Sequence, residues 1–279
     1  MLSKKRISVS SLVLKLLIAW ALIAFVVYPV VSLLIQTFWQ GGSLSTEVFG
    51  KVFSSARAVQ SLKNSFILAF TLVVTVNIVG TLCVLFTEYW DIKGAKILRL
   101  SYMTSLIYSG VVLVAGYKYV YGESGLLTKF LLHFFPDMNP NWFVGFGAVV
   151  FVMTFSCTQN HMMFLRNAIH GLDYHTVEAA KNMGASGGTI FFKIVLPVLK
   201  PTFFAITILT FLTGLGAMSA PLIVGGEDFQ TINPMIITFS RSTYSRDVAA
   251  FLAIILGVAT IILLSVFSKI EKKGNYVSV

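Results

Sequence analysis

From Leu16 to Leu34 the chain runs without a charged side chain. A helix needs about 20 apolar residues to cross the hydrocarbon of a bilayer, and this run supplies them. A cleavable leader has a shorter apolar stretch and a small-residue cleavage site, so the run reads as a retained first span. In lipid a backbone must satisfy its own N–H and C=O groups, which leaves helices and closed barrels. A run of this length selects helix. Five more stretches repeat the pattern. The expected spans are 13–35, 65–86, 97–117, 142–165, 202–224 and 248–267. The fold class expected is therefore all-α integral membrane, with six transmembrane helices.

Composition supports lipid as the main solvent. Charged residues are only 11% of the chain, against about 25% in soluble domains. The net charge of +10 raises nucleic acid as a partner. No basic stripe interleaves with exposed aromatics, as single-strand binding needs, so no nucleic acid is expected. Basic residues in a membrane protein instead mark the cytoplasmic side. With the first residue inside, fourteen of the 21 Lys and Arg fall on inner segments and seven on outer ones. Both termini are thus expected in the cytoplasm. Cys83 and Cys157 lie inside apolar runs. Two cysteines make no metal cage, and both are expected as buried thiols. His170 and His175 flank Asp173 at a spacing that fits no usual metal site.

The inner segment 167–201 is the longest on that side. Residues 176–183 are mostly good helix formers, with Thr176 as a possible cap and Asp173 and Glu178 near the positive end. Gly184 is the expected stop. A second short helix is expected over 189–195, with Leu196-Pro197 opening the approach to the fifth span. The result would be a compact helix–turn–helix presenting small alanines. Residue physics leaves two readings open. One is a docking knob for a cytosolic partner, oriented by Glu178. The other is an amphipathic helix lying on lipid headgroups.

A resemblance decides between them. Glu178-Ala179-Ala180, then Gly184, Ile194 and Leu196-Pro197, resembles the EAA signature of binding-protein-dependent ABC importer permeases, at that family's spacing. The resemblance implies a type I ABC importer permease fold. It implies that Glu178, Ala179, Ala180, Gly184, Ala185 and Ser186 form a coupling helix seated in a groove of a separate ATPase. Ser61-Leu62-Lys63-Asn64-Ser65 looks like the family's entry to its permease core. The implied organisation is residues 1–60 as a first helix and outer loop, 61–270 as the core and 271–279 as a cytoplasmic tail. The implied partners are an ABC ATPase dimer, a second permease subunit, identical or homologous, an extracytoplasmic substrate-binding protein and membrane lipid. The implied location is a bacterial cytoplasmic membrane. This chain would bind no cofactor, and ATP and Mg would belong to the ATPase. Segments 122–127 and 247–250 look most like permeases for iron(III), polyamines, thiamine or aminophosphonates.

Polar residues inside spans are costly and usually face the protein interior or a water path. Pathway candidates are Asn77, Tyr108, Ser109, Gln159, Asn160, His161, Thr213 and Ser219. The alternative for each is a hydrogen bond that glues helices together. Gly225-Gly226-Glu227-Asp228 is either a solvated turn or a surface for a delivery protein.

Two rival functions were weighed. An intramembrane enzyme would need HExxH or paired intramembrane carboxylates, and neither is present. Gly184–Gly188 fits GxSxG by letter, but in a turn between helices rather than a strand-to-helix elbow. No GxxxxGK[ST] loop occurs, so ATP is not expected to bind here, and no enzymatic activity is expected of the chain. A secondary carrier working without an ATPase is the other alternative. The lack of Asp or Glu in the expected hydrocarbon core argues against a proton-coupled one.

Overall fold

The computed structural model describes the backbone of residues 9–40, 43–44, 46–90 and 92–275. The basic start at Lys4, Lys5 and Arg6, and residues 276–279 of the expected tail, lie outside these. The regular structure of the described residues is helical except for a short antiparallel ladder, β1 (Trp39–Gln40) with β2 (Ser43–Leu44).

Helix α1 covers residues 9–38 with a π-turn at Ile23–Val27. Helix α2 is Glu47–Ser54, and α3 is the long Ala56–Tyr89. Two short helices follow, α4 (Ala95–Thr104) and α5 (Gly110–Tyr121). Then come α6 (Leu126–Phe134), α7 (Phe146–His170) and α8 (Tyr174–Asn182). Helix α9 is Gly187–Leu215 and α10 is Ser219–Val224. The last two are α11 (Ile232–Ser240) and α12 (Arg246–Asn275).

Among the described residues, five helices are long and apolar enough to cross a membrane: α1, α3, α7, α9 and α12. The third expected span, 97–117, is not one helix. It splits into α4 and α5 around the non-helical Ser105–Ser109. Ser105 turns back to donate to the Tyr102 carbonyl (2.6 Å) and to Gln159 Oε1 on α7 (2.9 Å). Ser109 then caps α5 by accepting from the Val112 N–H (3.4 Å). Serines bonding to nearby backbone favour caps and turns over helix interiors.

The fifth span also departs from expectation. It begins at Gly187 rather than residue 202 and ends at Leu215. Pro197 and Pro201 read as helix starts, yet both lie inside α9. A π-turn at Phe191–Val195 widens the helix just before Pro197, and the Leu196 N–H bonds back to Phe191 O. Such a bulge makes room for the ring and the missing donor. The helix breaks at Gly216–Met218, ahead of Pro221 rather than at it.

Helix α3 is the central post. Its Leu68, Leu72 and Val76 join Val149, Val152 and Met153 of α7 in one buried cluster, with Val114 of α5 and Ala220 and Val224 of α10. Helix α9 crosses α3 closely. A Cβ on Gly214 would stand 2.7 Å from Ala69 Cα, so only glycine permits the approach. A second buried cluster surrounds the far end of α3, with Val84, Leu85, Leu165, Ile169, Val195 and Leu199. A third links α2, α11 and α12 through Val52, Ile232, Val248 and Leu252. The membrane-length part of α1 has no buried residue. Its lower end meets the rest through Phe38, whose ring lies 5.8 Å from Phe251.

Polar ties fix the end opposite α8. Asn64 donates to Gln230 O (3.0 Å), and Ser65 Oγ accepts from the Ile232 N–H (2.9 Å). These bonds give the Ser61–Ser65 stretch its physical meaning, because they tie the start of α3 to the loop before α11. Lys51 and Asp247 pair at 2.8 Å. That hydrogen bond, with Glu47 beside it, holds the Lys51 ammonium above its usual range. Cys83 and Cys157 are free and buried.

Candidate functional site

The segment between α7 and α9 is built as a rigid projection. Asp173 caps α8, where Thr176 had been expected to. Its Oδ1 accepts from the His175 N–H (3.0 Å) and its Oδ2 from the Thr176 hydroxyl (3.2 Å). A capping side chain satisfies donors that the first turn leaves orphaned. At the other end Gly184 adopts φ +83°. The Gly184 N–H bonds to Lys181 O (2.9 Å) and the Ala185 N–H to Ala180 O (3.0 Å). This paired closure is the Schellman motif, which favours glycine at its left-handed position. The spacing from Ala180 to Gly184 and Ala185 is thus a backbone requirement.

The two faces of α8 differ. Val177 and Ala180 are buried and pack with Ile169, Ile190 and Val195. Ala180 therefore does not lie on the exposed surface, contrary to the expectation that both alanines would. The helical phase places it one turn on from Val177, facing inward. Glu178, Ala179, Asn182 and Met183 form the outer face. Glu178 has 55% of its side chain exposed, and Met183 is 81% exposed. Glu178 lies 3.9 Å from His175 Nδ1.

Ser186 caps α9. Its Oγ accepts from the Thr189 N–H (3.3 Å) and contacts the Thr189 hydroxyl at 2.9 Å. This bonding explains the GxSxG lettering as a helix start. The helix expected over 189–195 does exist, but it runs on into α9 without a gap.

The residues singled out inside the spans fall into separate groups. Asn77 and His161 meet in the core between α3, α7 and α9. His161 Nε2 lies 3.1 Å from Asn77 Oδ1, and Asn77 Nδ2 donates to Val73 O and to the Thr207 hydroxyl (3.1 Å). His161 is fully buried. Its ring fills the notch left by Gly80, where a Cβ would stand 2.4 Å from its Cγ. These contacts join α3, α7 and α9. Thr75 and Thr154 add a hydroxyl pair at 2.7 Å between α3 and α7. Gln159 is half-buried and holds Ser105. Asn160 is half-buried beside it.

Tyr108 and Ser109 lie on the exposed break between α4 and α5, and Tyr108 is 56% exposed. Thr213 is exposed on α9, where its hydroxyl bonds back to Leu209 O (2.8 Å). Ser219 sits against Gly110, whose Cβ would stand 3.2 Å from its Oγ. The break borders a cavity of about 420 Å³ that includes Ser101, Tyr102, Ser105, Tyr117 and Ser156. At the end opposite α8, Arg57, Gln60, Glu227 and Asp228 border a cavity of about 680 Å³. Gly226 in that loop has φ +67°.

Sequence reasoning missed two residues. Thr207 completes the Asn77 cluster from α9. Glu88, near the end of α3, has only 3% of its side chain exposed and meets Arg99, Arg166 and His170. Its partners are far along the chain, and no local pattern points to them.

Residues 64–270 match the family described as "Binding-protein-dependent transport system inner membrane component". The chain is 37% identical over 262 residues to the probable ABC transporter permease protein y4fN of Sinorhizobium fredii (strain NBRC 101917 / NGR234). That match covers 94% of this chain and 46% of that protein. It is 24% identical over 203 residues to the ferric transport system permease protein FbpB of Actinobacillus pleuropneumoniae, covering 73% of this chain and 30% of that one. The chain thus spans about half or less of the length of these two relatives. It is 20% identical over 265 residues to the spermidine/putrescine transport system permease protein PotC of Escherichia coli (strain K12), covering 91% of this chain and 94% of that one. Among solved structures, a bacterial ABC transporter involved in the import of the acidic polysaccharide alginate shares the fold, with TM-score 0.73 at 16% identity over 94% of each chain. On the family match, which takes in α3 through α12, the chain belongs to the binding-protein-dependent transport system inner membrane components.

Proposed function

We propose that this chain is the permease subunit of an ATP-driven solute importer in a bacterial inner membrane, with both termini in the cytoplasm. The observation that carries the reading is α8. It is a short helix locked at both ends, rooted by Val177 and Ala180, with Glu178, Ala179, Asn182 and Met183 turned outward. A headgroup-lying helix would put its apolar face toward lipid. Here that face is spent on the protein, and what remains is a rigid outer face of Glu178, Ala179, Asn182 and Met183. This shape suits the groove of a separate ATPase, with Glu178 to orient it. Ala180, Gly184, Ala185 and Ser186 then act by holding the helix in place rather than by contact alone. ATP and Mg would bind the ATPase. An ATPase can drive the permease only by binding its two states with different affinity.

The pathway is assigned to the face carrying the α4–α5 break. Non-helical backbone at membrane depth is tolerated where it is buried in protein or lines a water-filled cavity, and not against lipid. Ser105–Ser109 therefore faces the pathway and a second permease subunit, and Tyr108, Ser109 and Gln159 are its first contacts for substrate. The loop at Glu227 and Asp228 faces the delivering extracytoplasmic protein. Iron(III), polyamine or aminophosphonate substrates are favoured. The ferric and the spermidine/putrescine names of two relatives support the first two classes.

The test is purification of the tagged chain in mild detergent, followed by mass spectrometry. An ABC ATPase co-purifies with the native chain and is lost from the Glu178→Lys, Gly184→Pro double variant, which still inserts. A native chain that runs without an ATPase in several detergents would overturn the proposal.

A further inference from the structure

The root of α8 is tied to the spans by one buried carboxylate. Glu88 lies in the π-turn Leu85–Tyr89 at the end of α3. Its Oε1 meets Arg99 Nε of α4 at 3.2 Å. Its Oε2 meets Arg166 Nε at 3.2 Å and His170 Nε2 at 2.9 Å, both on the last turns of α7. The carboxylate is almost fully buried, while its partners keep partial access to solvent. A buried charge is tolerated when it is paired and hydrogen-bonded; here the hydrogen bonds come from Arg166 and His170 of α7, and Arg99 is an ion-pair contact without one. Such groups fix a single arrangement more than they add stability, a role best attested where they set register.

The place of this junction matters. His170 is followed by Gly171 and Leu172, and Asp173 already caps α8. Glu88 and His170 also border a cavity of about 830 Å³ together with Trp90, Tyr174, Lys181 and Phe191. The apolar contacts of α8 reach α7 and α9 through Val177 and Ala180. Helix α4, which leads to the break at Ser105–Ser109, packs on the same cluster through Tyr102 and adds a charged tie to this end, the Glu88–Arg99 pair. Gly94, at φ +91°, starts α4 with an open, left-handed turn.

We propose that Glu88 is the positioning residue that joins the coupling helix to the broken span, so that movement of α8 reaches Ser105–Ser109. This rests on the importer reading above. The carboxylate clamps the ends of α3, α4 and α7 into one body with α8. Without its charge, α8 still docks and the ATPase still turns over, but α4 no longer follows.

The experiment uses the native permease–ATPase complex and its Glu88→Gln counterpart. Each is purified, and amide hydrogen exchange is followed with and without ATP and vanadate. In the native complex, exchange changes on nucleotide both in residues 174–186 and in residues 101–112. In Glu88→Gln the ATPase co-purifies, ATP hydrolysis stays within about twofold of native, and 174–186 still respond. The response of 101–112 falls by about tenfold or more. Glu88→Asp restores part of it. Should Glu88→Gln fail to accumulate, Arg99→Gln is used instead. It cuts the link to α4 alone and leaves Arg166 and His170 in place, and it is expected to lose the same response. A full response of 101–112 in these variants overturns the proposal, as does a native complex in which only 174–186 respond. Failure of the importer reading looks different, because then no ATPase accompanies the native chain.

Discussion

Helix α8 and the break between α4 and α5 are both short, polar interruptions between long apolar helices, yet they are built in opposite ways. Both ends of α8 are capped, by Asp173 at the start and by the Gly184 and Ala185 N–H groups at the close. Its inner face is buried. The Ser105–Ser109 break is built from local turn bonds and tied to α7 by the Ser105–Gln159 bond, and Ile107 is 78% exposed. Regions with few buried contacts and exposed backbone open at low cost. The molecule is therefore stiff where force would enter and loose where a pathway would change shape.

The comparison breaks first at Gly184. Gly184→Pro cannot adopt the left-handed φ and deletes the N–H that bonds Lys181 O. A loss of about 3 kcal/mol is expected where proline conflicts with the local backbone. Amide exchange should speed up throughout 177–185 while the spans stay protected. Next come the paired alanines. Ala180→Leu overpacks a buried site and should cost about 1–3 kcal/mol by detergent melting. Ala179→Leu, on the outer face, should stay within about 0.5 kcal/mol of native yet weaken ATPase co-purification. Asp173→Ala removes the cap and should cost about 1 kcal/mol, seen as faster exchange at His175 and Thr176. The smallest change is at the break. Ser105→Ala removes the hydroxyl proton shared between Tyr102 O and Gln159 Oε1, about 0.5–1.5 kcal/mol in all. It should leave the melting point nearly unchanged while raising exchange at 105–109.

Much of this architecture is legible from the chain alone, because length and apolarity fix a span whatever surrounds it. The first, second, fourth and sixth spans are of this kind. The third is apolar enough on average to hide its break, which depends on Gln159, more than fifty residues away. The start of the fifth is masked by Pro197 and Pro201, since a proline reads as a boundary unless the π-turn that absorbs it is known. At the coupling segment the glycine spacing is legible as a turn. That Ala180 points inward follows only once the phase of α8 against Val177 is set. His161 and Asn77 are open between pathway and glue in the sequence, and in the structure the His161 ring packs in the Gly80 notch and meets Asn77.

The central claim is that the outer face of α8, and not its inner face, meets an ATPase. Single cysteines at Ala179 and at Val177, in a background lacking Cys83 and Cys157, test it by cross-linking in membranes that contain the native partners. The account predicts that the cysteine at 179 captures an ABC ATPase in high yield and that the one at 177 captures none. Equal capture from both positions, or none from 179 while the complex still co-purifies, would contradict it.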